Sequence, residues 1–82
     1  MIVRVELPQV SMNMTEATVV EWTRQPGERF EAGEVLCVFE TEKATQEVCA
    51  PARGTVVELL VAEESDAQVG DVLCVLDVED ET

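Results

Sequence analysis

Apolar positions along this chain fall in short β-branched runs, not in helical repeats. Residues 2–7, 17–22, 35–41, 55–61 and 72–78 are dominated by Val, Leu and Ile, and 44–50 forms a weaker run of the same kind. None keeps a helical period over the eleven or so residues an amphipathic helix needs. Turn formers stand between the runs: Pro8, Pro26-Gly27, Gly33, Pro51, Gly54 and Gly70. Glycine supplies positive φ and proline a fixed φ at bends. Short strands at regular spacing, separated by such residues, predict an all-β sandwich or flattened barrel.

The pattern repeats. Residues 16–40 laid over 53–77, a shift of 37, match at nine of 25 positions without a gap. Four matches are Val, which is abundant here; Thr18/Thr55, Glu21/Glu58, Gly33/Gly70, Leu36/Leu73 and Cys37/Cys74 are harder to obtain by chance. Two similar halves, each with an apolar face that only the other can cover, imply an approximate two-fold axis. The first copy continues through Thr41-Glu42-Lys43-Ala44, whereas the same place in the second copy is the end of the chain. A strand-to-strand turn at Lys43 is therefore expected at the end of the domain opposite the termini.

At 82 residues, with 46% apolar composition, the chain is expected to form one small globular domain. Its 18 acidic and five basic residues give a net charge of −13, which repels phosphate and argues against nucleic acid and anionic membranes as partners. The same self-repulsion favours a monomeric domain. With no His, imidazole-ligated zinc and histidine-based acyl transfer are excluded, and Ser11 and Ser65 have no imidazole to activate them. Cys37, Cys49 and Cys74 form neither a disulfide framework nor a Cys-x-x-Cys cluster; three free thiols point to a reducing compartment, the cytoplasm or the mitochondrial matrix. No secretory leader and no membrane-spanning run is expected. The residues point to a non-catalytic domain.

One residue could still carry chemistry. Lys43 is the only lysine, the other cations being Arg4, Arg24, Arg29 and Arg53. An Arg keeps its charge and is a poor nucleophile, whereas a Lys amine can be acylated. On local grounds alone Lys43 is also an ordinary solvated turn residue. What singles it out is the stretch Glu40-Thr41-Glu42-Lys43-Ala44-Thr45, together with residues 7–22, Pro26-Gly27-Glu28 and Ala50-Pro51-Ala52-Arg53-Gly54. Across residues 3–78 these resemble the lipoyl domains of 2-oxo acid dehydrogenase complexes. The resemblance implies a flattened β-barrel of two four-stranded antiparallel sheets with pseudo-two-fold symmetry, residues 1–79 forming the domain and 80–82 an acidic tail or linker start. It further implies lipoate amide-linked to Lys43 as a swinging arm, attached by a lipoate ligase or lipoyl transferase. The implied partners are a thiamine-dependent 2-oxo acid dehydrogenase, the dihydrolipoyl acyltransferase core and dihydrolipoyl dehydrogenase. Glu42 and Ala44 beside the tip, with Met12 and Asn13 in the neighbouring loop, become the candidates for partner recognition.

Three positions depart from the family pattern. Glu42 stands where Asp is common, Glu64-Ser65 where a Gly-Asp pair is usual, and Cys49 where relatives are often acidic. A missing Gly at a tight turn implies either a wider turn or mild strain. Cys37 and Cys74 share strand parity with Phe39 and Leu76 and should face inward; Cys49 should face outward. Met12 and Met14 are either core filler or an adaptable partner contact, and Trp22 is a packing residue. Two other functions compete with the lipoyl carrier. A biotin carrier on the same fold has Met on both sides of its target Lys, where this chain has Glu42 and Ala44. An unmodified interaction module would keep the fold without the arm.

Overall fold

The computed structural model describes residues 1–10 and 12–79, so the expected tail at 80–82 lies outside the described residues. Eight strands follow in order: β1 (Ile2–Glu6), β2 (Glu16–Trp22), β3 (Arg29–Phe30), β4 (Val35–Glu40), β5 (Thr45–Cys49), β6 (Gly54–Leu59), β7 (Ser65–Gln68) and β8 (Val72–Val78). They build two antiparallel sheets, ordered β1-β8-β6-β3 and β5-β4-β2-β7, that face each other as a sandwich. Six strands coincide with the apolar runs. The remaining two, β3 and β7, are edge strands of two and four residues. Each places one side chain in the core, the large Phe30 and the small Ala67, and is held by its ladder to β6 or β2.

The repeat is reproduced in the hydrogen-bond register. Thr18 pairs with Glu40, Val19 with Phe39, Glu21 with Val38 and Trp22 with Cys37; 37 residues on, Thr55 pairs with Asp77, Val56 with Leu76, Glu58 with Val75 and Leu59 with Cys74. Even the bulges coincide, at Val20 and Val57. β1 and β5 complete the symmetry at a different offset: Val5 lies against Cys74 as Val48 lies against Cys37. Inward positions of both halves make one core, in which Phe30, Leu36, Phe39, Leu73 and Leu76 are almost wholly buried. Each such side chain contributes roughly 1.5–3 kcal/mol by leaving water.

Cys37 and Cys74 occupy two-fold-related buried sites, and Cys49 is exposed, as strand parity implied. Burial pushes the Cys37 thiol up to about 12, with the neighbouring Cys74 adding to the effect, and the Cys74 thiol up to about 11. Both are neutral, unreactive packing groups at neutral pH. Trp22 is buried and its indole N–H donates to the Val61 carbonyl at 2.7 Å.

The turn at Glu64 settles how the missing glycine is handled. Gly27 N–H donates to Val56 O, and Glu64 N–H donates to Val19 O in the two-fold-related place. Gly27 has φ +90° and Glu64 has φ +65°, the sole positive φ at a non-glycine among the described residues. The turn is not widened; Glu64 adopts the left-handed conformation its counterpart reaches as glycine, at a cost of about 1 kcal/mol.

The two ends of the sandwich can be read from connectivity. β5 starts at Thr45, opposite Glu40, and carries the chain roughly 13 Å from the 41–44 turn to Cys49. Residues 50–53 then cross to Gly54, which pairs with Val78, whose N–H donates to Met1 O at 2.8 Å. Thr41 N–H donates to Ala44 O at the same distance, and the two bonds are related by the pseudo-axis. The Lys43 turn and the start of the chain therefore occupy opposite ends of a body 37 Å long. At the far end Glu79 bridges Arg29 at 2.9 Å and Arg53 at 2.5 Å. Its hydrogen bond to Arg53 holds its carboxyl below the usual carboxylate range.

Candidate functional site

Thr41 shapes the turn that carries Lys43. Its hydroxyl donates to Ala44 O at 3.1 Å and accepts the N–H groups of Lys43 at 3.4 Å and Ala44 at 3.3 Å, beneath the 41–44 backbone bond. One side chain thus bridges three backbone polar groups of the tip, as Ser and Thr do in turns. Neither Glu42 nor Lys43 has positive φ, so long side chains stand at the tip without backbone strain. Glu42, Lys43 and Ala44 are all exposed. Among the described residues no hydrogen bond or ion pair engages the Lys43 amine, although the chain carries a large acidic excess.

Beside the turn lies the connection from β1 to β2. Gln9 spans it from within, its amide donating to Met12 O at 3.3 Å and Met14 O at 3.4 Å. The Val10 N–H donates to the Met14 sulfur at 3.5 Å. Met14 is buried in the core and anchors the loop, whereas Met12 is 91% exposed. The two methionines thus divide the alternatives between them, one serving as core filler and the other as surface. Between loop and turn is a groove of about 390 Å³, lined among others by Val10, Met12, Asn13, Glu42, Lys43 and Ala44.

All five residues singled out in the sequence, Lys43, Glu42, Ala44, Met12 and Asn13, therefore meet at one groove. Sequence reasoning missed Thr41, Gln9 and Val10. A signal for Thr41 was available, since a hydroxyl two residues before a tip is a known turn former. Nothing in sequence marked Gln9, whose role depends on the folded path of the loop. Chemically the groove offers one accessible primary amine, and among the described residues no hydrogen bond joins a nucleophile to a base there. Among the described residues, no group of three or more Cys, Asp or Glu is arranged to hold a metal ion.

Comparison with known proteins gives a consistent family. Residues 3–76 match the biotin/lipoyl family model, described as biotin-requiring enzyme. A dihydrolipoyllysine-residue acetyltransferase component of the mitochondrial pyruvate dehydrogenase complex of Caenorhabditis elegans is 38% identical, over 89% of this chain and 15% of its own length. The corresponding component 3 of Arabidopsis thaliana is 40% identical, over 92% of this chain and 14% of its own. A succinyltransferase component of the 2-oxoglutarate dehydrogenase complex of Cupriavidus necator is 38% identical, over 95% of this chain and 19% of its own. The chain thus spans less than a fifth of these relatives. Among solved structures, the lipoyl domain of the 2-oxoglutarate dehydrogenase complex of Azotobacter vinelandii superposes with a TM-score of 0.78 at 28% identity, covering 90% of this chain and 94% of that one. A single-chain, multi-domain long-chain acyl-CoA carboxylase superposes with a TM-score of 0.81 at 25% identity, covering 98% of this chain and 7% of that one.

Proposed function

This chain belongs to the biotin/lipoyl family, and on that premise we propose that it is a lipoyl carrier domain of a 2-oxo acid dehydrogenase complex, with lipoate joined to Lys43 by an amide. The observation that carries the reading is the presentation of the only lysine. It stands exposed on an unstrained turn, clamped by Thr41, at the end opposite the start of the chain. The residues fit the group: the amine has no acidic partner to displace among the described residues, and the groove at its foot offers apolar surface. Lipoate, when bound, supplies a cyclic disulfide that can take up an acyl group and two electrons and give them up elsewhere.

The domain's own contribution is positional. Lys43 supplies the single attachment point, and amide formation removes its charge, taking the net charge from −13 to −14. Thr41 keeps the tip in one conformation, and the sandwich holds it clear of anything joined to the far end. Tethering raises the local concentration of the carried group at each active site, while the chemistry belongs to cofactor and partner enzymes. The partners in this reading are a lipoate ligase or lipoyl transferase, a thiamine-dependent 2-oxo acid dehydrogenase, the acyltransferase core and dihydrolipoyl dehydrogenase. Glu42, Ala44, Met12 and Asn13 form the surface such a dehydrogenase would read around the arm.

The likeness to the acyl-CoA carboxylase favours a second reading, a biotin carrier. Against it stand Glu42 and Ala44, where biotin carriers place Met. Parallel incubation with a lipoate ligase and a biotin ligase, read by intact mass, separates the two. Addition of one lipoyl group, no biotin, and neither on Lys43→Arg are expected; biotin addition to the unaltered chain would replace the lipoyl reading.

A further inference from the structure

Apart from the chain ends, the two halves differ in the length of one connection, and that connection lies beside Lys43. Leu7 and Ala50 are equivalent by their bonds to Gly70 and Asp71 and to Gly33 and Glu34. Ala17 and Gly54 are equivalent by their pairing with Ala67 and Phe30. Between the first pair and the second the chain uses residues 8–16 in one half but only 51–53 in the other. The fold closes that corner with three residues at the far end, so six residues at the Lys43 end are surplus to the sandwich.

The surplus builds one side of the groove, where Val10 and Met12 are the exposed apolar members beside the polar Asn13, Thr15 and Glu16. Gln9 bonds the carbonyls of Met12 and Met14, Met14 is buried, and among the described residues of the loop Val10 and Met12 stand exposed beside the Lys43 turn. Scattered exposed hydrophobics are ordinary. Here, however, two lie together on a braced insertion, and Met12, at 91%, is the most exposed large apolar side chain among the described residues. Lys43 itself lines the same groove.

Resting on the lipoyl-carrier reading, we propose that this groove is a parking site for the chain's own Lys43-linked arm, its apolar chain and dithiolane ring lying against Val10 and Met12. The tether decides the occupant. A group attached to the groove's own wall meets it at millimolar-range effective concentration, ahead of any free apolar ligand. Its carbon chain and ring are apolar and would otherwise be hydrated. Sulfur in a thioether is polarisable, and unbranched Met adapts to irregular partners. Docking is reversible and non-covalent, so a partner enzyme need only compete with a shallow site to take the arm.

The test uses lipoylated protein carrying ¹³C-methyl methionine, its loading verified by mass. Lipoylation is expected to shift the Met12 methyl resonance and give contacts between that methyl and the dithiolane protons. A phosphine should reduce the ring at least about twofold more slowly than on Met12→Ser, the factor for half-occupancy of the docked state. Met12 is exposed, so the variant should fold, and Val10→Ser gives an independent second variant. Loaded protein with an unmoved Met12 signal and equal reduction rates would overturn docking and leave the carrier reading standing. Failure to load lipoate at all would overturn both.

Discussion

Glu64→Gly should stabilise this domain or leave it unchanged, although it deletes a charged side chain from a turn. Glu64 sits at φ +65°, in the left-handed region, where an L side chain costs about 1–2 kcal/mol. Its carboxylate makes no hydrogen bond or ion pair among the described residues, so little is lost with it. Glycine removes the steric cost but gives the unfolded chain more freedom, which offsets about 0.4–1 kcal/mol. The net expected change is between zero and about 1 kcal/mol in favour of the variant. The two-fold mate supplies the mirror experiment. Gly27 has φ +90° and open space around a built Cβ, so Gly27→Ala should destabilise by about 1 kcal/mol through backbone strain alone. Urea unfolding followed by the fluorescence of Trp22, the only and deeply buried Trp, reads both. Loss of more than about 1 kcal/mol in Glu64→Gly would refute the strain argument and assign Glu64 a native contact.

Gly54 is constrained by space, not by φ. A Cβ there would lie 2.2 Å from the Asp77 carbonyl and 2.8 Å from the Val78 Cα, both backbone, so Gly54→Ala must distort the β6–β8 ladder and should cost about 3 kcal/mol in the same assay. High pH should also weaken the fold. The raised thiols of Cys37 and Cys74 keep protons that the unfolded chain releases from about pH 9, so their contribution is intact below pH 9 and is lost as pH rises towards 11–12. The slope approaches about 1.4 kcal/mol per pH unit for each thiol. Under reducing conditions a Cys37→Ala/Cys74→Ala double variant should start less stable and fall less steeply above pH 9; parallel slopes would contradict the assignment.

Much of this architecture was legible because the two halves say the same thing twice. Six strands, the inward parity of Cys37 and Cys74 and the opposition of the Lys43 turn to the start of the chain follow from periodicity and the 37-residue shift. β3 and β7 were not legible: Arg29–Phe30 is too short to show alternation, and Ser65–Gln68 lacks β-branched residues, so both exist because a neighbouring strand offers a ladder. At Glu64 the sequence left a wider turn or strain open, and only the φ value separates them. Of the functional surface, Lys43 and its neighbours could be named in advance, while the division between buried Met14 and exposed Met12 could not. Parity does not run through a loop, and only the folded path shows that Met14 packs into the core while Met12 faces outward.

The central claim is that Lys43 is a lipoyl attachment point, and a tryptic digest of the protein from its native cells tests it directly. Trypsin cleaves after unmodified Lys and Arg, so a capped Lys43 should yield one uncut peptide of residues 30–53 bearing the mass of a single lipoyl group. Cleavage after an unmodified Lys43 throughout the sample, or a biotin mass on the uncut peptide, would contradict it.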